Sequence, residues 1–160
     1  MTEADHARGT EPRLALLLAT NVGLGLAPVA SGTFGTLAGI PVFWLLSHLG
    51  GFLYTLVWLL LLVIAVRVSD RAGRYYGVAD DGRIVIDELL GYLVTVALLP
   101  FSWTAAILGF LFFRLFDIAK LPPASWFDRE MKNGLGVVLD DVAAGIYAAL
   151  ALRFCLAIFT

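Results

Sequence analysis

Five near-continuous apolar runs divide this chain, at Thr33–Leu49, Gly51–Val68, Ile84–Leu99, Trp103–Ile118 and Gly136–Phe159, and ionic side chains stand almost only at their ends. A helix needs roughly 20 such residues to cross about 30 Å of hydrocarbon. Inside lipid, every backbone N–H and C=O must find its partner within the chain, which leaves helices as the natural fold. The pattern predicts an all-α, multi-pass membrane helical bundle with about five spanning helices. Composition agrees: 60% of residues are hydrophobic and 15% charged, with mean hydropathy +0.88, where soluble domains carry roughly a quarter charged residues.

The 160 residues suit one domain, 1–160. Residues 1–12 read as a flexible tail; Glu3, Asp5 and Glu11 argue against a signal peptide. Leu14–Val29 is apolar but broken by Asn21, Gly23, Gly25 and Pro28, so an interfacial or re-entrant segment is expected there. With a net charge of −2 and no basic face, nucleic acid is not an expected partner. Cys155 is the sole cysteine and His6 and His48 are isolated, which removes the usual zinc ligand sets.

Basic residues in loops set orientation. Arg67, Arg71, Arg74 and Arg83 flank the loop near residue 75, and Lys120, Arg129 and Lys132 occupy the connection before the last run. The turns near residues 50 and 101 contain no Lys or Arg. This alternation predicts a cytoplasmic amino terminus, with Leu14–Val29 not crossing. In the loop near 75, Asp80 and Asp81 precede Gly82 and read first as turn chemistry.

That topology brings the acids together. Asp87 and Glu88 begin a helix leaving the cytoplasmic side, together with the small polar face Asp87, Gly91 and Thr95. Arg114, Asp117 and Lys120, spaced i, i+3 and i+6, end a helix arriving there. Asp140 and Asp141 open another helix that leaves. A Gly- and hydroxyl-rich loop, Ala27–Thr36, belongs to the same level. Two readings of that loop stand side by side: close helix packing, or backbone amides at a helix start that receive an anion.

Ionic groups near lipid are costly and mark candidate sites. Five carboxylates in one place repel one another unless cations balance them. Arg114 and Lys120 can neutralise two. A divalent ion such as Mg²⁺ suits the remainder, because hard oxygen ligands without His or Cys favour it. Metal, two cations and a glycine-rich stretch together describe a phosphoryl-transfer site. The bland alternative is structural: an Arg114–Asp117 pair closing a helix, and first-turn acids favoured by the helix dipole.

Taken together, LAPVASGTFGT (26–36), IVIDELLG (84–91), FRLFDIAKLPPASWFD (113–128) and GLGVVLDDVAAG (134–145) closely resemble the phosphatidylglycerophosphatase A family, over about residues 14–158. The resemblance implies a bacterial cytoplasmic-membrane (inner-membrane) enzyme that removes the terminal phosphate of phosphatidylglycerophosphate, using Mg²⁺, to give phosphatidylglycerol. It implies catalytic and metal-holding roles for Asp87, Glu88, Asp117, Asp140 and Asp141, and basic roles for Arg114 and Lys120. Gly32, Thr33 and Thr36 are expected beside the substrate phosphate. The family usually has Pro-Gly-Thr where Ser31-Gly32-Thr33 stands here, and Lys-Pro-x-Pro-Ile where Lys120-Leu121-Pro122-Pro123-Ala124 stands; both departures spare the charged positions.

Two rival classes differ in pattern. A scaffold or cation-pathway subunit calls for polar residues through the membrane depth, where this chain has mostly Leu, Val, Ala and Phe. A CDP-alcohol phosphotransferase, also Mg²⁺-dependent, calls for several aspartates along one contiguous segment, which this chain lacks.

Overall fold

The computed structural model describes residues 13–159; the expected tail, residues 1–12, lies outside them. Seven α-helices follow in order: α1 (Arg13–Ala19), α2 (Ser31–Leu46), α3 (Gly51–Tyr76), α4 (Ile86–Thr95), α5 (Trp103–Ala119), α6 (Ala124–Glu130) and α7 (Gly134–Phe159), with a 3₁₀ turn at Leu24–Leu26. No strand occurs among the described residues, so the all-α expectation holds.

The expected number of full spans is not met. Among the described residues two helices, α3 and α7, are long and apolar enough to cross a membrane. Only 17% and 28% of their most apolar windows are buried inside the protein. Phe52, Leu60, Phe154 and Phe159 stand outward on them. A core helix of a soluble protein hides such residues; here they form the outer surface, which fits a membrane protein. Helix α2 is apolar but has 16 residues. Helix α4 has ten, which makes it about 15 Å long, half the hydrocarbon thickness.

Helix α4 stops short because Val96–Ser102 turns, with Leu98 at φ 59° and Pro100 beyond it. A helix end in apolar surroundings exposes carbonyls that need donors. Arg153 of α7 supplies them: its Nη2 donates to Ala97 O (2.6 Å) and Nη1 to Thr95 O (3.4 Å). Tyr54 adds a bond from its hydroxyl to Leu93 O at 2.7 Å.

Helices α4 and α7 meet backbone to backbone. A side chain at Gly91 would lie 2.6 Å from Asp141 O and would strike the Phe113 ring, and one at Gly145 would strike Gly91 O. Thr95 Oγ1 donates to Gly91 O at 3.0 Å and reaches Gly145 O at 3.4 Å. The small face expected on Ile84–Leu99 is therefore the seam with α7. Around it, Phe43, Tyr92, Phe113, Ala148 and Leu152 form one core cluster, and Ala19, Ala65, Leu90 and Val138 a second.

The segment after Arg13 does not cross as a continuous helix. Seven residues of α1 cover about 10 Å, and the chain then reverses through Asn21 (φ 46°), Val22 (φ 59°) and Gly23 (φ 93°). Asn21 holds this reversal in place, donating from Nδ2 to Val85 O at 2.8 Å, while Val85 N donates to Ala19 O at 2.8 Å.

Candidate active site

Three helices and a loop bring their ionic residues to one cavity of about 330 Å³. Asp87 and Glu88 come from the first turn of α4, Arg114 and Asp117 from the last turns of α5, and Lys120 from the residue that ends α5. Asp140 and Asp141 come from α7, and Gly32 from the start of α2. Every charged residue expected at the site lines this cavity.

Lys120 ends α5 in a left-handed conformation (φ 43°, ψ 56°) that turns the chain sharply. Its Nζ bridges Asp140 Oδ2 (2.7 Å) and Asp128 Oδ1 (3.0 Å). Arg114 pairs with Asp117, Nη1 to Oδ2 at 2.6 Å, and stands 3.9 Å from Glu88 Oε1. Two oxygens remain over: Glu88 Oε2 and Asp141 Oδ2 are buried without a hydrogen-bond partner among the described residues. A buried carboxylate oxygen without a donor is costly, so such atoms mark a place where a ligand belongs.

Several expectations change in detail. Ser31–Thr36 is the opening of α2 and not a loop. Its glycines make room for Glu88 and Arg114: a Cβ at Gly32 would lie 3.1 Å from Arg114 Nη1 and would overlap Glu88 Oε1, and one at Gly35 would lie 2.8 Å from Glu88 Oε2. Close packing therefore explains both glycines. Gly32, Ser31 and Ala30 still line the cavity, and no side chain caps this helix start. Thr33 and Thr36 do not line it. Thr36 is fully buried, with Oγ1 donating back to Gly32 O at 2.9 Å, because a hydroxyl inside a helix satisfies itself on the preceding turn.

Asp140 and Asp141 do not open their helix. Helix α7 begins at Gly134, where Asn133 Oδ1 accepts from the amides of Leu135 (3.1 Å) and Gly136 (3.0 Å). A side chain at Gly134 would strike Val66 and Asp70 of α3, so the glycine lets α7 start against α3. The two acids thus sit in the second turn, beyond the reach of the dipole argument.

Two carboxylates join the site from positions that read as ordinary loop chemistry. Asp80 lines the cavity, carried by a loop that Ser31 Oγ fastens through Gly82 O at 2.6 Å. Although Asp80 keeps contact with solvent, desolvation raises its carboxyl above the ordinary aspartate value, Asp128 and Asp117 add to this, and Lys120 and Lys132 oppose it. Its neighbour Asp81 is lowered by the bidentate hold of Arg83, at 2.7 and 2.8 Å. Asp128 Oδ1 accepts from Lys120 Nζ at 3.0 Å, beside Asp140. Spacing could not flag either residue, since both stand in polar segments where Asp is common.

The donor set is oxygen-only, which suits Mg²⁺. Among the described residues no group of three or more carboxylates is drawn together tightly enough to enclose a metal ion. Mg²⁺ typically takes only one or two carboxylates, keeping waters and substrate phosphate in its other positions. Glu88 and Asp141 each keep one buried oxygen without a hydrogen-bond partner among the described residues, which would suit so small a set of protein ligands.

No solved structure matches the chain. Phosphatidylglycerophosphatase A of Escherichia coli (strain K12) is 41% identical over 141 residues, which cover 86% of this chain and 81% of that protein. Phosphatidylglycerophosphatase A of Haemophilus influenzae is 38% identical over 138 residues, covering 85% of each. Residues 17–156, which contain every charged side chain of the cavity, match the family description phosphatidylglycerophosphatase A, and the chain belongs to that family.

Proposed function

We propose that this protein is a phosphatidylglycerophosphatase, hydrolysing the terminal phosphate monoester of phosphatidylglycerophosphate to phosphatidylglycerol in phospholipid biosynthesis. The observation that carries the chemistry is the meeting of Asp87, Glu88, Arg114, Asp117, Lys120, Asp140 and Asp141 at one small cavity. The same reading places the protein in the bacterial cytoplasmic membrane, with the cavity at the cytoplasmic face. Its support is the outward apolar surface of α3 and α7 and the arginines near the end of α3.

Mg²⁺ is the proposed cofactor, and Glu88 and Asp141, together with Asp87, Asp117 and Asp140, would hold it. Bound there, it supplies charge neutralisation for the phosphate and acidifies a water. The chain's own residues do the rest. Arg114 and Lys120 offer N–H donors to the equatorial phosphate oxygens, where charge spreads during transfer. Asp117 and Asp140 hold those two cations at fixed positions, so little reorganisation is needed as charge develops. The uncapped start of α2 presents backbone amides at Ser31 and Gly32 to the same anion. Apolar surface beside the cavity keeps the acyl chains in the bilayer.

Purified protein incubated with phosphatidylglycerophosphate should release phosphate, lose this activity on chelation and regain it with added Mg²⁺. Asp117→Asn should reduce turnover by about 10² or more while leaving membrane insertion unchanged. Absence of release from this and other lipid phosphates would overturn the proposal in favour of a scaffold.

A further inference from the structure

On the flank of α3 away from the acidic cavity, α1 and α3 enclose a second groove of about 580 Å³, lined by no residue of the first. One end carries Arg13, Arg67 and Arg71; the wall beyond is Leu14, Leu18 and Ile64. Arg67 and Arg71 are one turn apart and share a face of α3. Among the described residues neither has an ion-pair partner, whereas Arg74 is paired with Asp70, Arg83 with Asp81 and Arg114 with Asp117. The two exposed guanidiniums therefore stand on this open, largely apolar groove with no ion-pair partner among the described residues.

We propose that this groove binds one anionic glycerophospholipid, its phosphodiester between the arginines and an acyl chain along Leu14, Leu18 and Ile64. This rests on the bilayer reading of α3 given above. Charge complementarity selects the occupant. Arginine's planar fork matches phosphate oxygens in pairs, and a basic pocket between helices on the cytoplasmic side is a recognised setting for anionic headgroups. A volume of this size falls within the range of small-molecule sites and suits a lipid fragment. The depth also fits, because α7 begins against Val66 and Asp70, so Arg67 and Arg71 lie at the level where α7 starts. A lipid there clamps α1 to α3. Through Asn21 and Val85 it steadies the loop that carries Asp80.

The test is lipid retention by detergent-solubilised full-length protein, followed by native mass spectrometry. The probes are phosphatidylserine, which has no terminal phosphate to engage the acidic cavity, and phosphatidylcholine with the same acyl chains. One phosphatidylserine should remain bound under conditions that strip phosphatidylcholine. The R67Q/R71Q variant should weaken retention about tenfold or more. Ile64→Trp, which fills the channel with all charges in place, should do the same, and Arg74→Gln should not. Equal retention of the two lipids overturns the proposal. So does undiminished retention in Ile64→Trp, which marks bulk attraction to a basic rim, or displacement by millimolar inorganic phosphate, which marks a free-anion site. A need to remove residues 1–12 before lipid binds also overturns it, since the groove then belongs to the chain itself. Turnover is not read here, so failure of the phosphatase assay and failure of this one are separate results.

Discussion

Lys120 Nζ lies 2.7 Å from Asp140 Oδ2, joining the end of α5 to the second turn of α7. Asp128 Oδ1 accepts a second hydrogen bond from the same ammonium at 3.0 Å. One cation thereby governs two acids and the connection between their helices. Lys120→Met should lower phosphate release by about 10²–10³, the scale of losing one charge-stabilising donor in a phosphoryl or acyl transfer site. Lys120→Arg should restore part of it. Turnover measured at saturating lipid checks this, and full activity in the methionine variant would remove Lys120 from the mechanism.

The seam between α4 and α7 has no room for a methyl group at residue 91. Gly91→Ala sets a Cβ against Asp141 O and the Phe113 ring, and overpacking of this kind costs about 1–3 kcal/mol. The melting temperature in detergent should fall, and activity should fall with it, because the shift moves Asp87 and Asp141 apart. Gly51→Ala, at the start of α3 and outside the cavity lining, serves as the control, since a Cβ there makes only an ordinary contact, 3.7 Å from Leu98.

Arg153 should matter for stability without touching the site. Its replacement by Leu leaves Thr95 and Ala97 carbonyls without their donor in apolar surroundings, a loss of about 1–3 kcal/mol. The measurement is thermal unfolding in detergent, and an unchanged melting point would show that another group caps α4.

Asp80 gives a pH prediction. Its carboxyl is raised in the folded protein, so the fold disfavours its charged form at neutral pH. Asp80→Asn should therefore be more stable than the parent at pH 7. That difference should shrink as pH falls from the raised value towards the ordinary aspartate value of about 3.9, and vanish below it, where both states carry the proton. Activity should move the opposite way, falling at neutral pH in the asparagine variant. Stability profiles from pH 3 to 8 for the two proteins decide the matter; a gap that widens in acid would contradict the sign.

The charged members of the site were legible because an ionic side chain has few ordinary reasons to stand at the end of an apolar run. The parity of the runs then put residues 87–88, 114–120 and 140–141 at one level. Helix lengths were not legible in the same way. Val94 to Leu99 is as apolar as any span, and periodicity carries no record that Arg153, 56 residues on, would satisfy the carbonyl of Ala97 and allow the helix to stop. Asp80 and Asp128 were hidden for the opposite reason, since acids in polar loops carry no contrast. Thr36 misled because its hydroxyl can turn inward to Gly32 O as readily as out to a phosphate.

Helix α2, like α3, α4 and α6, begins without a side-chain cap, whereas Ser102 and Asn133 serve α5 and α7. Its start, Ser31 and Gly32, lies at the rim of the acidic cavity. In the reading given above, the lipid's own phosphate becomes the missing cap. Arrival of substrate and completion of the helix are then a single event, and release of free phosphate undoes both.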